Sequence, residues 1–192
     1  MIKRLIVLVA AVASSLPVAC ASAGLRTYFS FHRYTNTNST LTIIRQDTTT
    51  GRNVAQESFR AGSGTTTNEC ESYKGWLPAG WYTLVGHFDH YDGSSIKGRA
   101  WQLSDKRCAG TGTLRTELFI HSEETASQGQ YCPTSGDDPF CWEGDFDYKS
   151  AGCIKLAHAP PYPSDIARAD SDWDGWDGRS GYFTVTNVLN VS

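Results

Sequence analysis

A cysteine in a small-residue turn and a histidine at the end of an apolar run are the residues of this chain best suited to covalent chemistry. The turn is Ser150-Ala151-Gly152-Cys153-Ile154-Lys155-Leu156, and the run is Leu118-Phe119-Ile120-His121. Gly152 lets the backbone bend sharply and approach a ligand closely. Amides at such a turn can face a developing oxyanion, among the larger contributions to acyl transfer. A thiol at its ordinary pKa is only slightly ionised near neutrality, so it needs an imidazole to take its proton. His121, held at a strand end, is the candidate base. Taken singly, each residue is more often structural: a Cys after Gly is commonly a buried thiol, and a lone strand-end His a packing residue.

Cysteine arithmetic favours the reactive reading. The first 23 residues resemble a secretory signal. Lys3 and Arg4 precede the apolar run Leu5–Val12, and Ala21-Ser22-Ala23 offers the small-x-small pattern of a cleavage site. Cys20 in Val18-Ala19-Cys20 is a rival, lipid-modified start. Cleavage after Ala23 leaves Cys70, Cys108, Cys132, Cys141 and Cys153. An exported chain meets an oxidising compartment, and five thiols cannot all pair within it. Cys132 and Cys141 bracket a polar Pro/Gly/Asp segment and are the nearest pair. Cys70–Cys108 would then be the second bridge and Cys153 the free thiol. Five choices of free cysteine and three pairings of the rest leave about fifteen arrangements open.

Other clusters invite metal. Asp170-Ser171-Asp172-Trp173-Asp174-Gly175 matches the first half of a calcium loop, though Gly181 stands where the bidentate Glu belongs. A solvated acidic loop is the alternative. Gly86-His87-Phe88-Asp89-His90 carries three potential zinc ligands, but on a strand His87 and Asp89 share a face while His90 points away. Arg115 reads either as a ligand for a substrate carboxylate or as half of a surface ion pair. His158 would suit a papain-like order only with an earlier cysteine, and neither Cys70 nor Cys132 sits in a nucleophile-like context.

The elements that must position these residues are mostly strands. Arg26–Tyr34, Thr40–Gln46, Asn53–Ala61, Trp81–Phe88, Arg99–Leu103, Thr116–His121 and Gly181–Val188 carry alternating or β-branched runs bounded by turn residues. Only Ser164–Asp170 reads as helix, about two turns behind a Ser cap. At 192 residues the chain suits one domain, a sandwich- or barrel-like β fold with one or two short helices. Its net charge of −3 gives nucleic acid no electrostatic hold. The leading apolar run is too short for a comfortable membrane span.

Phe119-Ile120-His121-Ser122 followed by Ser150-x-Gly152-Cys153-Ile154-Lys155 resembles the catalytic signature of the L,D-transpeptidase (YkuD-like) family. Trp76-Leu77-Pro78-Ala79-Gly80-Trp81-Tyr82 is similar to that family's Thr-Pro-x-Gly-x-aromatic segment, and Thr40–Gly62 to its opening hairpin. The chain departs at Ala151, where the family has His, at Ser122, where it has Gly, and at Lys155, where Arg is common. The stretch between His121 and Ser150 is also longer. The resemblance implies a single catalytic domain over residues 24–192, acting on peptidoglycan stem peptides as a secreted, periplasmic or wall-associated monomer without a cofactor. It implies Cys153 as nucleophile and His121 as base. Backbone N–H groups near Gly152 and Cys153 would hold the oxyanion, and Ser150 would orient the imidazole. Arg115, Ser122, Ala151 and Lys155 are the implied substrate contacts. The alternatives are a carboxypeptidase of the same chemistry and a carbohydrate-binding module stacking sugars on Trp76, Trp81, Trp173 and Trp176.

Overall fold

The structure is a computed structural model that describes residues 24–133, 138–176 and 180–192. The expected signal segment, residues 1–23, and its Cys20 lie outside the described residues. Ten strands follow in order: β1 Leu25–His32, β2 Ser39–Asp47, β3 Asn53–Ser63, β4 Gly80–Asp92, β5 Lys97–Leu103, β6 Lys106–Arg107, β7 Leu114–Arg115, β8 Phe119–His121, β9 Ile154–Leu156 and β10 Gly181–Val191. Among the described residues a 3-10 turn covers Asp145–Tyr148 and a helix, α1, covers Asp165–Trp176.

Eight of the strands close into a barrel in the order β1-β10-β4-β5-β8-β9-β3-β2. Closure leaves none of the eight with an unpaired edge. Alternation drives it. On β1, Phe29 and Phe31 point inward while Tyr28 and Ser30 point out, and their antiparallel partners on β2 are Ile43 and Leu41. Most neighbours are antiparallel, but β1–β10 and β8–β9 run parallel. The short pair β6–β7 forms a separate ribbon.

Side chains fill the interior: Phe29, Phe31, Leu41, Ile43, Trp101, Ile120, Ile154 and Leu189 are completely buried. Helix α1 adds Ile166, Ala169 and Trp173 to this core, with Trp173 stacked on Phe29 at 5.3 Å. Trp173 explains why the helix reaches Trp176, well past the expected end at Asp170. Burying a large aromatic over the barrel outweighs the poor helix propensity of Asp and Gly.

The other departures are also local. The expected strand Thr116–His121 is reduced to Phe119–His121, because Glu117 adopts a left-handed φ of 55° that no strand accepts. Sequence reading missed β9, whose three residues are too few to alternate, and the two-residue strands β6 and β7.

Both expected bridges form, Cys70–Cys108 and Cys132–Cys141, and Cys153 is free and buried. Their sequence separations are 38 and 9 residues. On loop entropy the first stabilises by roughly 3–4 kcal/mol and the second by about 2–3 kcal/mol. Replacing both members of the Cys70–Cys108 pair by Ser should therefore lower Tm more than the same change at Cys132–Cys141. Peptide mapping of the oxidised protein should recover both bridges and a single alkylated cysteine, at residue 153. Bridging of Cys153 in that map would refute the pairing.

Candidate active site

β8 lies parallel to β9 with Ile120 opposite Ile154 and His121 opposite Lys155. The two isoleucines point into the core, so Phe119, His121, Cys153 and Lys155 share the outer face of the barrel. Ala100 and Gln102 of β5, opposite His121 and Phe119, extend that face. The tip of the β4–β5 hairpin folds over it: Tyr91 and Ile96 pack on Ala100, Phe119 and Cys153, with Tyr91 5.3 Å from the Phe119 ring. A cleft of about 480 Å³ remains, reached by His121, Cys153, Lys155, Gln102, Glu117 and Tyr73 among others. The two residues singled out for chemistry line one cavity.

Their bonding is specific. His121 Nδ1 lies 2.8 Å from the carbonyl oxygen of Ser122. Since a carbonyl only accepts, Nδ1 carries the hydrogen and Nε2 keeps its lone pair. Cys153 donates its S–H to the Glu117 carbonyl at 3.5 Å rather than to the imidazole. Burial is the main influence on both groups. It depresses His121 to about 3, aided by the Lys155 charge and opposed by the Ser122 carbonyl. It pushes the Cys153 thiol up to about 11, against the Phe119 N–H and the Lys155 and Arg115 charges. At neutral pH the pair is therefore thiol and neutral imidazole. An attack by this sulfur would need a base to take its proton, which is general-base rather than preformed ion-pair chemistry.

Several expected roles are reassigned. Ser150 does not orient the imidazole; the Ser122 backbone does. The Ser150 hydroxyl pins the 150–153 turn instead, donating to Cys153 O at 2.7 Å and accepting from the N–H groups of Gly64 (2.9 Å) and Gly152 (3.0 Å). The Gly152 N–H is thus engaged and does not face an oxyanion as it stands. Gly152 is required for another reason. Its φ is +119°, and a Cβ there would lie 2.1 Å from Arg115 Nη2. Arg115 is neither surface ion pair nor exposed ligand: it is 3% exposed and its guanidinium binds backbone carbonyls. Lys155 lines the cleft but is ion-paired to Glu123. The Ser122 side chain is buried and its Oγ has no hydrogen-bond partner among the described residues. Ala151 does line the cleft.

Sequence reading missed Glu117, Gln102, Tyr73 and the hairpin tip. Asp92-Gly93-Ser94-Ser95 announces a turn, yet nothing local says which face it will cover. The Ser122 and Glu117 contacts are made by backbone carbonyls, which side-chain identity does not reveal.

The metal expectations change as well. Asp170, Asp172 and Asp174 lie on α1, not in a loop, so the alternate spacing turns Asp172 away while Asp170 and Asp174 share a face. Asp170 accepts from Arg99 at 3.1 Å and lies 2.7 Å from Nε2 of the fully buried His87. Arg99 continues to Glu124, and Glu124 to His158, forming one polar chain beneath α1. His90 turns away to the Ala126 carbonyl. A cluster able to hold a cation is His87, Asp89 and Asp174, each offering one atom within 4.8 Å of the others. His87 pairs with Trp101 on the inner face, so this cluster lies across the sheet from Cys153.

Of the four tryptophans considered for sugar stacking, Trp173 is fully buried, Trp176 packs against the core and Trp76 lies under Arg33, while Trp81 is exposed.

His121 makes stability depend on pH. Its folded pKa lies below the unfolded value near 6.5, so the unfolded chain binds the extra proton. Stability is full above about pH 6.5 and falls with acidification toward pH 3, by at most about 1.4 kcal/mol per pH unit. Denaturant melts of His121→Gln at pH 7 and pH 5 should show a smaller acid loss than the unmodified protein; an equal loss would contradict the neutral, buried imidazole.

No family model, no curated protein and no solved structure matches this chain.

Proposed function

We propose that this protein is a secreted cysteine acyltransferase acting on peptidoglycan stem peptides, an L,D-transpeptidase-type enzyme on a closed β barrel. The observation that carries the reading is the cleft itself. It holds the free thiol together with a histidine whose Nδ1 is committed to a backbone carbonyl, leaving Nε2 to accept a proton. The signature residues at 119–122 and 150–155 support the substrate class, and two disulfides agree with an extracellular location.

In the proposed reaction the Cys153 sulfur attacks the carbonyl between the third and fourth residues of a tetrapeptide stem. His121 Nε2 takes the thiol proton. The tetrahedral adduct collapses, the carbon–nitrogen bond breaks, and the imidazolium returns the proton to the departing D-amino acid. The thioester is then resolved by an amine of a second stem, giving a cross-link, or by water, giving a tripeptide. Tyr73 and Tyr91 supply apolar walls, and Gln102 and Lys155 polar contacts along the cleft. A cation at His87, Asp89 and Asp174 would tie β4 to α1 and serve stability, because that cluster sits on the opposite side of the sheet. Calcium held by Asp170, Asp172 and Asp174 together is disfavoured by their helical placement.

The test is incubation with purified disaccharide-tetrapeptide, read by mass spectrometry. A thioester on the Cys153 peptide and either dimer or tripeptide plus free D-amino acid are expected. Cys153→Ala should abolish both, and His121→Ala should lower turnover by about 10²–10⁴-fold. Absence of any thioester or product with folded protein would refute the reading.

A further inference from the structure

Arg115 is a buried cation without a carboxylate partner among the described residues. Nη1 donates to the carbonyls of Glu69 (2.7 Å) and Trp76 (3.3 Å), and Nη2 to those of Gly75 (3.3 Å) and Ala151 (2.9 Å). Dipoles of four carbonyls meet its Nη1 and Nη2 groups but do not neutralise its charge. The carboxylate that acts on it, Glu69, is bound to Arg33 at 3.0 Å and to the Ala79 N–H. Besides Cys153, the guanidinium is also felt by the Tyr82 phenol, kept protonated by burial and donating to Pro78 O at 2.7 Å. Burying an unpaired charge is costly, so a guanidinium in this position calls for an anion that the resting protein does not display.

Cys153 supplies one. Arg115 holds the carbonyl two residues before it, and the missing side chain of Gly152 lets Nη2 come against the turn. We propose that Arg115 is the positioning residue and counter-charge of the nucleophile, fixing the 151–153 turn and offering a permanent cation to the negative charge that forms at Cys153 on attack. This rests on the reading of Cys153 as nucleophile. The proton leaves sulfur for His121 Nε2, the charge passes from sulfur to the carbonyl oxygen, and Arg115 neither gives nor takes a proton. Of the other charged or titratable groups around Cys153, Lys155 is tied to Glu123, His121 is neutral, and Glu117 opposes the anion.

The inference is tested by placing a carboxylate at residue 153. Mature, oxidised Cys153→Asp and Cys153→Asn are compared by thermal melting, each alone and combined with Arg115→Gln or Lys155→Gln. With Arg115 intact, Cys153→Asp should melt no lower than Cys153→Asn at pH 7, and should lose ground as its carboxylate protonates. Arg115→Gln should reverse the order by several degrees, whereas Lys155→Gln should preserve it. Should Arg115→Gln fail to fold, the single variants still decide. A Cys153→Asp protein melting well below Cys153→Asn at pH 7 overturns the proposal, as does an order that depends on Lys155 and not on Arg115. Since the readout is melting, its failure is distinct from absence of turnover on stem peptides.

Discussion

The parallel seam between β8 and β9 is the constraint on which the candidate site depends. With Ile120 against Ile154 and both in the core, His121 and Cys153 share the outer face. A shift of one residue would bury the imidazole side of β8 and expose Ile120, so core packing fixes the register that assembles the site. The same seam closes the barrel, since β8 pairs otherwise with β5 and β9 with β3. Stability and chemistry thus share one set of contacts.

The two faces of this sheet segment are treated differently. Below it, charge is paired and enclosed: His87, Asp170, Arg99, Glu124 and His158 form a chain that ties α1 and the loop after β9 to the barrel. Above it, His121 and Cys153 are kept neutral by burial; Lys155 is paired with Glu123 and Arg115 is held by backbone, while the Glu117 carboxylate lines the same cleft. Such an arrangement does not favour a resting thiolate. For the proposed chemistry it favours a sulfur that gives up its proton only as it attacks an electrophile, with the imidazole lining the same cleft to receive it. The Cys153 S–H contact with the Glu117 carbonyl fits a resting state that must reorient before reaction.

The sequence made the framework legible where packing is periodic. Phe29/Phe31, Leu41/Ile43 and Trp101/Leu103 alternate into the core as their spacing requires. Cysteine parity required one thiol to stay free, and the expected pairing left that place to Cys153, which the structure keeps unbridged. What failed was whatever depends on long-range backbone. The imidazole partner is a carbonyl of the next residue, Arg115 is captured by a loop some forty residues away, and the aspartates of the supposed loop were drawn into α1 by Trp173. None of these has a pattern in side-chain order. Barrel closure through β9 was equally hidden, because three residues between turns carry too little periodicity to be read.

The direct measure of the central claim is the rate at which iodoacetamide alkylates Cys153 in folded, oxidised protein at pH 7.5, compared between the unmodified chain and His121→Ala. If the imidazole is the base for that sulfur, alkylation slows at least about tenfold in the variant while the circular dichroism spectrum is unchanged. Equal rates in two folded proteins would mean that His121 does not serve Cys153, and the catalytic account would fall.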